Sequence, residues 1–379
     1  MDMEPPAPTA ADADDLGHYL ALMVAHGASD LFLSSDAAPG LKIQGQIKRL
    51  PEAPLTATRI KTLAYSVMRE AQIRQFETEL ECDLAIAMDQ LGRFRVNVYR
   101  QRGDVAVVVR HINSQIPSMQ ALGLPPVLKT LAMLKRGLVL VVGAAGSGKS
   151  TTLAALLDYR NEMASGHILT VEDPMEFEHQ HKKSIIDQRE VGLDTLSFDE
   201  ALRHAMREAP DVIMIGEIRD KGTMQHAMAY AETGHLCVST LHANNANQAI
   251  QRILNFFPET AHHQILMDLS LNLKGVIGQR LLRGKSGQLV PAIEVMLLSP
   301  YIADLIQKGQ TDEIKSAIAK STDSGMITFD QSLYELYEKG DITQAQAIEQ
   351  ADSKTDLSLR IRLAAGFQPA SGNLQVLRD

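Results

Sequence analysis

An apolar run, Leu138–Val142, ends directly in Gly143-Ala144-Ala145-Gly146-Ser147-Gly148-Lys149-Ser150, and Leu153, Leu156 and Leu157 mark a helix from Thr151 behind it. The octapeptide fits G-x-x-x-x-G-K-[ST]. Strand, glycine loop and helix in that order constrain the chain to a sheet with helices packed on it. The loop then stands at the carboxyl end of the strand. Glycines let the backbone curl until its N–H groups point inward, and the helix start adds a positive end, so the turn suits phosphate oxygens. In such a loop Lys149 reaches the β- and γ-phosphates of ATP, and Ser150 sets its hydroxyl on Mg²⁺. The cradle runs from Gly143, Ala144, Ala145, Gly146, Ser147 and Gly148 through Lys149 and Ser150 to Thr151.

A nucleotide-hydrolysing site also needs acids. Asp211-Val212-Ile213-Met214-Ile215-Gly216-Glu217 is an apolar strand with a carboxylate at its far end. Val171-Glu172-Asp173-Pro174-Met175-Glu176 ends a preceding strand, Ile168–Val171, in a second acidic cluster. A fourth strand, Leu236–Thr240, leads to His242. Short apolar strands alternating with longer helical patterns predict a parallel sheet wrapped by helices, an α/β domain. Its strands present Glu176, Glu217 and His242 at the carboxyl edge beside the loop. There the two carboxylates can hold Mg²⁺ water or orient an attacking water, and His242 can sense a γ-phosphate or bridge strands. Ser197-Phe198-Asp199-Glu200 is a capping box that opens a helix to about Ala209.

Before the loop the periodicity is two. Cys82, Leu84, Ile86 and Met88, then Phe94, Val96 and Val98, then Val105, Val107 and Val109 alternate with polar or small residues, and glycine turns separate the runs. With a helix on Leu16, Leu20, Met23 and Val24, capped by Asp14 or Asp15, this predicts an α+β domain over 15–113. A Pro- and Gly-bearing linker spans 114–126, and the ATPase domain with its C-terminal helices spans 127–365. Residues 1–14 and 366–379 read as a disordered lead and a flexible tail. Thirty-seven Lys and Arg against 46 Asp and Glu leave a net charge of −9, which speaks against nucleic acid as the partner. Two cysteines make neither a disulfide framework nor a four-cysteine zinc site, and point to a reducing, cytoplasmic setting. No run reaches the roughly 20 apolar residues of a membrane span, so membrane association would go through partners.

Four segments together resemble the type IV pilus retraction ATPases, within the secretion-superfamily ATPases: GAAGSGKSTTLAALLDYRN, HILTVEDPMEFEH, FDEALRHAMREAPDVIMIGEIRD and ETGHLCVSTLHANNANQAIQRILNFFP. The family calls them the Walker A, Asp, Walker B and His boxes. GASDLFLS and GRFRVNVYRQRG extend the resemblance to the first domain. It implies a PAS-like first domain, a RecA-like ATPase domain and a small helical appendage. It implies Glu176 as the catalytic glutamate, Glu217 as the Walker B glutamate and His242 as the His-box residue. Arg95 and Arg110 fall where the family's first domain supplies arginines to the nucleotide. Further implications are a hexameric ring, peripheral to the inner membrane, that acts on a pilus platform protein and drives retraction and twitching motility.

Within the family the principal motor, PilT, carries two arginines in a C-terminal helix motif. The corresponding stretch here, Tyr301–Gly309, has Ala303 and Gln307 in their places. Phe32 stands where the principal motor has histidine, and the tail is extended. These departures resemble the accessory type of the family, working beside a PilT-type ATPase. Rival readings are an assembly or secretion ATPase of the same superfamily and an ATP-binding adaptor that bridges PilT to the pilus base.

Overall fold

The structure, a computed structural model, describes residues 16–43, 45–112 and 115–364. The lead over 1–14 and the tail over 366–379 lie outside these residues, as do the two candidate caps Asp14 and Asp15. The chain divides into two units. One is the chain up to Ile116 with Asp173–Gln180 and Arg189–Ser197; the other is Pro117–Glu172, His181–Gln188 and the chain from Phe198 onward.

The first unit carries α1 (Leu16–Ala25), β1 (Asp30–Leu33), β2 (Gly40–Ile43), β3 (Gln46–Arg49), α2 (Ala57–Ser66), α3 (Glu70–Glu79), β4 (Glu81–Met88), β5 (Gly92–Gln101) and β6 (Asp104–Ile112). Its antiparallel sheet has the order β3-β2-β1-β6-β5-β4. Alternation sets its faces, as the sequence predicts: Phe94, Val96, Val98, Val105, Val107 and Val109 are buried with Leu16, Leu20 and Met23 of α1 in one core. The β5–β6 hairpin closes on Gln101 opposite Asp104. Arg102 and Gly103 between them both take positive φ, at 53° and 89°, the twist that a two-residue hairpin loop needs.

The second unit carries α4 (Val127–Ala132), β7 (Gly137–Val142), α5 (Lys149–Met163), β8 (His167–Glu172), β9 (Ile185–Glu190, whose last two residues belong to the first unit), α6 (Phe198–Ala205), β10 (Val212–Ile215), α7 (Lys221–Glu232) and β11 (Leu236–Leu241). It continues through α8 (Ala246–Leu254), α9 (His262–Asn272), β12 (Leu273–Arg283) and β13 (Leu289–Leu297) to five helices, α10 (Pro300–Gln307), α11 (Ile314–Ala319), α12 (Phe329–Glu338), α13 (Gln344–Gln350) and α14 (Lys354–Ala364). The sheet order is β13-β12-β7-β11-β10-β8-β9. β12, β7, β11, β10 and β8 run parallel, and β13 returns antiparallel to β12. Every residue of β7, β10 and β11 is buried, the signature of strands covered on both faces.

The helix opened by the capping box ends at Ala205, four residues before Ala209. Pro210 follows Ala209, disfavours helix before it, and leaves Ala209 at φ 51°. The β12–β13 hairpin is absent from the sequence reading, because Gly275, Gly278 and Pro291 interrupt its apolar pattern. Gly278 is needed there: a Cβ would stand 2.9 Å from the Phe329 ring. Among the described residues no helix is long and apolar enough to cross a membrane.

Under the C-terminal helices, Glu294 of β13 is buried and accepts the Ala246 N–H at 2.8 Å. Burial pushes its carboxyl up to about 7; Asp352 adds to the rise, and the Ala246 N–H, Arg280 and Lys315 oppose it. Between the ordinary carboxylate value and that raised one, the native state keeps a proton that the unfolded chain has released. Stability therefore falls as pH climbs from about 5 to about 8. Glu294→Gln keeps a carbonyl for Ala246 and cannot ionise, so the thermal midpoint of this variant, measured across that range, should lose part of the fall and exceed wild type at the alkaline end.

Candidate active site

Register decides which side chains meet. β7 pairs with β11 so that Val142 faces Leu241, and with β12 so that Val142 faces Gly278. β11 pairs with β10 so that Ser239 faces Ile215. The strands end level, and Gly143, Glu217, His242 and Gln279 start from one carboxyl edge. Two hydroxyls fasten that edge: Ser239 Oγ donates to the Ile215 carbonyl and Thr240 Oγ1 to the Gly216 carbonyl, each at 2.7 Å. His242 Nε2 then lies 3.0 Å from Glu217 Oε1, and Arg219 Nε donates to Glu217 Oε2 at 2.8 Å. Both carboxylate oxygens are held, which fixes the plane of the group.

The loop itself turns on Gly146 and Gly148, at φ 74° and 84°, and α5 begins at Lys149. Lys149 is buried, and its Nζ donates to the Gly143 and Ala144 carbonyls at 3.0 and 2.9 Å. Ser147 Oγ is buried without a hydrogen-bond partner among the described residues. A buried orphan hydroxyl is unfavourable in an apolar setting and becomes satisfied when a phosphate oxygen arrives. With a buried ammonium beside it, this donor set fits a nucleotide phosphate. A cavity of about 280 Å³ opens on the loop, lined by Gly143, Ala144, Ser147, Asn244, Gln279 and Arg280 among others.

Glu172 closes β8; it is buried and accepts Thr170 Oγ1 at 2.8 Å and Gln188 Nε2 at 3.2 Å. Glu176 lies beyond it, in the Asp173–Gln180 segment that belongs to the first unit. Its neighbours there are anchored: Glu190 Oε2 accepts the Met175 N–H at 3.2 Å, and Arg93 pairs with Glu178 at 3.8 Å. Burial pushes the Glu190 carboxyl up, while the Met175 N–H and Arg95 oppose that. Arg95 and Arg110 face each other across β5 and β6. Like charges opposite one another repel. Asp83 offsets Arg95 at 3.5 Å, and the buried Asp30 accepts Arg110 Nε at 2.9 Å. Second-unit geometry thus brings Lys149, Ser150, Glu217 and His242 to one edge, while Glu176, Arg95 and Arg110 belong to the first unit. Gln279 is the neighbour the motif does not announce. The Gly-interrupted apolar run over 273–283 is the signal that could have placed a strand there.

Residues 17–357 match the Type II/IV secretion system protein family. The chain is 50% identical to the Type IV pilus ATPase PilU of Pseudomonas aeruginosa, covering 91% of each chain. It is 42% identical to the PilT retraction ATPase of the same organism, over 89% of this chain and 98% of that one. This chain is a member of the type IV pilus retraction ATPase family. Among solved structures it resembles the pilus retraction motor PilT with bound ADP, at a TM-score of 0.85 and 41% identity, over 91% of this chain and 99% of that one. Lys149 carries the buried ammonium of this loop, a charge that a nucleotide phosphate would neutralise. Lys149→Ala should fold, weaken ADP binding by about 100-fold or more, and abolish the rise in thermal midpoint that ADP produces in wild type. Titration with a fluorescent ADP analogue checks the first figure, and thermal unfolding with and without ADP the second.

Proposed function

We infer that this protein hydrolyses ATP to ADP and phosphate as the accessory, PilU-type motor of type IV pilus retraction. The observation that carries this is the phosphate cradle, intact from Gly143 to Ser150, in a chain that matches PilU and PilT along almost their whole length. The Ser150 hydroxyl and, through water, Glu217 would hold Mg²⁺, which when bound would supply positive charge against the nucleotide phosphates. Lys149 binds those phosphates. Glu176 orients the attacking water and takes its proton. His242, 3.0 Å from Glu217, reports the presence of the γ-phosphate to the strand behind it. Arg95 and Arg110 bring guanidinium charge to the transferring group; their cross-strand pairing supports a shared anion-facing role.

The protein works as a hexameric ring in the cytoplasm, at the inner membrane through its partners: a PilT-type ATPase and the pilus platform protein. Its first unit is read as PAS-like from the helices that share a core with one antiparallel sheet. The acidic net charge supports a motor that does not take nucleic acid as its partner.

Two measurements test this. Glu176→Gln should retain ATP binding and lower turnover by about 100-fold or more, because a carboxylate that positions water acts in the transition state. Wild-type turnover in that variant removes the assigned role. In cells, pilus retraction should be weak when this protein is present without its PilT partner, and should gain force or frequency when both are present. Ala303 and Gln307 motivate that expectation. Robust retraction without PilT contradicts the accessory assignment.

A further inference from the structure

Beside the phosphate loop, on the side away from Glu217, the loop meets β12. Gly278 pairs with Val142, so the next residue, Gln279, stands next to Gly143. Its side chain is 4% exposed. Gln279 Oε1 accepts Thr152 Oγ1 at 2.7 Å, and Thr152, in the first turn of α5, is 1% exposed. Gln279 Nε2 faces the loop: a Cβ on Gly148 would stand 2.8 Å from it, and one on Gly143 would stand 2.5 Å from the Gln279 carbonyl. The side-chain amide therefore fills the space that Gly148 leaves, the main-chain carbonyl of the same residue stands against Gly143, and the amide is tied to the helix that the loop feeds.

The strand beneath it is stiff. β12 is laddered on both sides, to β7 and to β13. The adjacent Arg280 points to the C-terminal helices, donating to the Gln350 carbonyl, pairing with Asp352 and lying over the Phe329 ring at 3.9 Å. A rigid strand carrying an amide with one end bonded and one end pressed on Gly148 sets where the loop's N–H groups lie.

We propose that Gln279 is a positioning residue for ATP binding: through Thr152 and Gly148 it holds the phosphate loop in its binding shape. Its role is distinct from that of Lys149, which meets phosphate directly. Losing the brace lets the loop sample shapes that bind poorly, so affinity falls while the chemistry at saturation changes little.

The test uses the full chain and four variants: Gln279→Met, Thr152→Val, the double variant and Thr152→Ser. Titration with a fluorescent ADP analogue gives Kd, thermal unfolding without nucleotide gives fold integrity, and steady-state kinetics split KM from kcat. Gln279→Met and Thr152→Val should each raise Kd about tenfold, the scale of one buried hydrogen bond. The double variant should bind no more weakly than either single one, because both remove the same contact. Thr152→Ser keeps the hydroxyl and should bind ADP within about twofold of wild type, and kcat at saturating ATP should stay within about threefold in the single variants. Wild-type Kd in folded Gln279→Met, additive effects in the double variant, or Thr152→Ser as weak as Thr152→Val each overturn the proposal. If Gln279→Met does not fold, the Thr152→Val and Thr152→Ser pair decides it alone. Lys149→Ala runs beside them: wild-type ADP binding there would overturn the phosphate-loop assignment itself, a different failure from any of these.

Discussion

The parallel hydrogen-bond ladder between β7 and β11 is the constraint on which the candidate site rests. Both strands are buried on both faces, so alternation of polar and apolar residues cannot set their register. The groups at their ends do that. Ser239 and Thr240 spend their hydroxyls on carbonyls of the neighbouring strand, and Gly143 is so tightly enclosed that a Cβ would meet Ser147 Oγ at 2.3 Å. A slip by one residue would strand those hydroxyls in the core and part His242 from Glu217.

The ATPase half was legible where its signals are local. β10 spans Val212–Ile215, as the apolar run says, and β7, β8 and β11 differ from their predicted bounds by one residue at one or both ends. Glycine spacing, strand termini and acids after strands all lie within a few positions of one another, so one chain suffices to read them. β2, β3 and the β12–β13 hairpin escaped because their runs are short or broken by glycine and proline. Gln279 escaped for the same reason. Its importance comes from a partner, Thr152, that lies 127 positions away in the chain.

Three kinds of buried polar group occur in the second unit, and each is treated differently. Lys149 is satisfied by backbone carbonyls and can exchange them for phosphate. Glu294 is accommodated by holding a proton near neutrality. Ser147 Oγ is left without a partner among the described residues. The first and third sit in the loop, and the second sits under the C-terminal helices. In the second unit, unmet polar capacity thus lies in the loop suited to a ligand with many oxygens, while the buried carboxyl under the helices is neutralised by a proton.

The division of the chain into units has a mechanical meaning. The backbone passes from one unit to the other at Ile116–Pro117, Glu172–Asp173, Gln180–His181, Gln188–Arg189 and Ser197–Phe198. Tension between the units is therefore shared among several covalent threads instead of falling on one linker. A truncation that begins at Pro117 removes the first unit's sheet yet keeps two pieces, Asp173–Gln180 and Arg189–Ser197, that were packed with it. The segment with Glu176 and the buried Glu190 would then lose Arg93 and Arg95 from its surroundings. An isolated C-terminal half of this chain is thus a poor stand-in for the intact protein: its phosphate loop would survive the cut, whereas the segment that carries Glu176 would lose the unit it packs with.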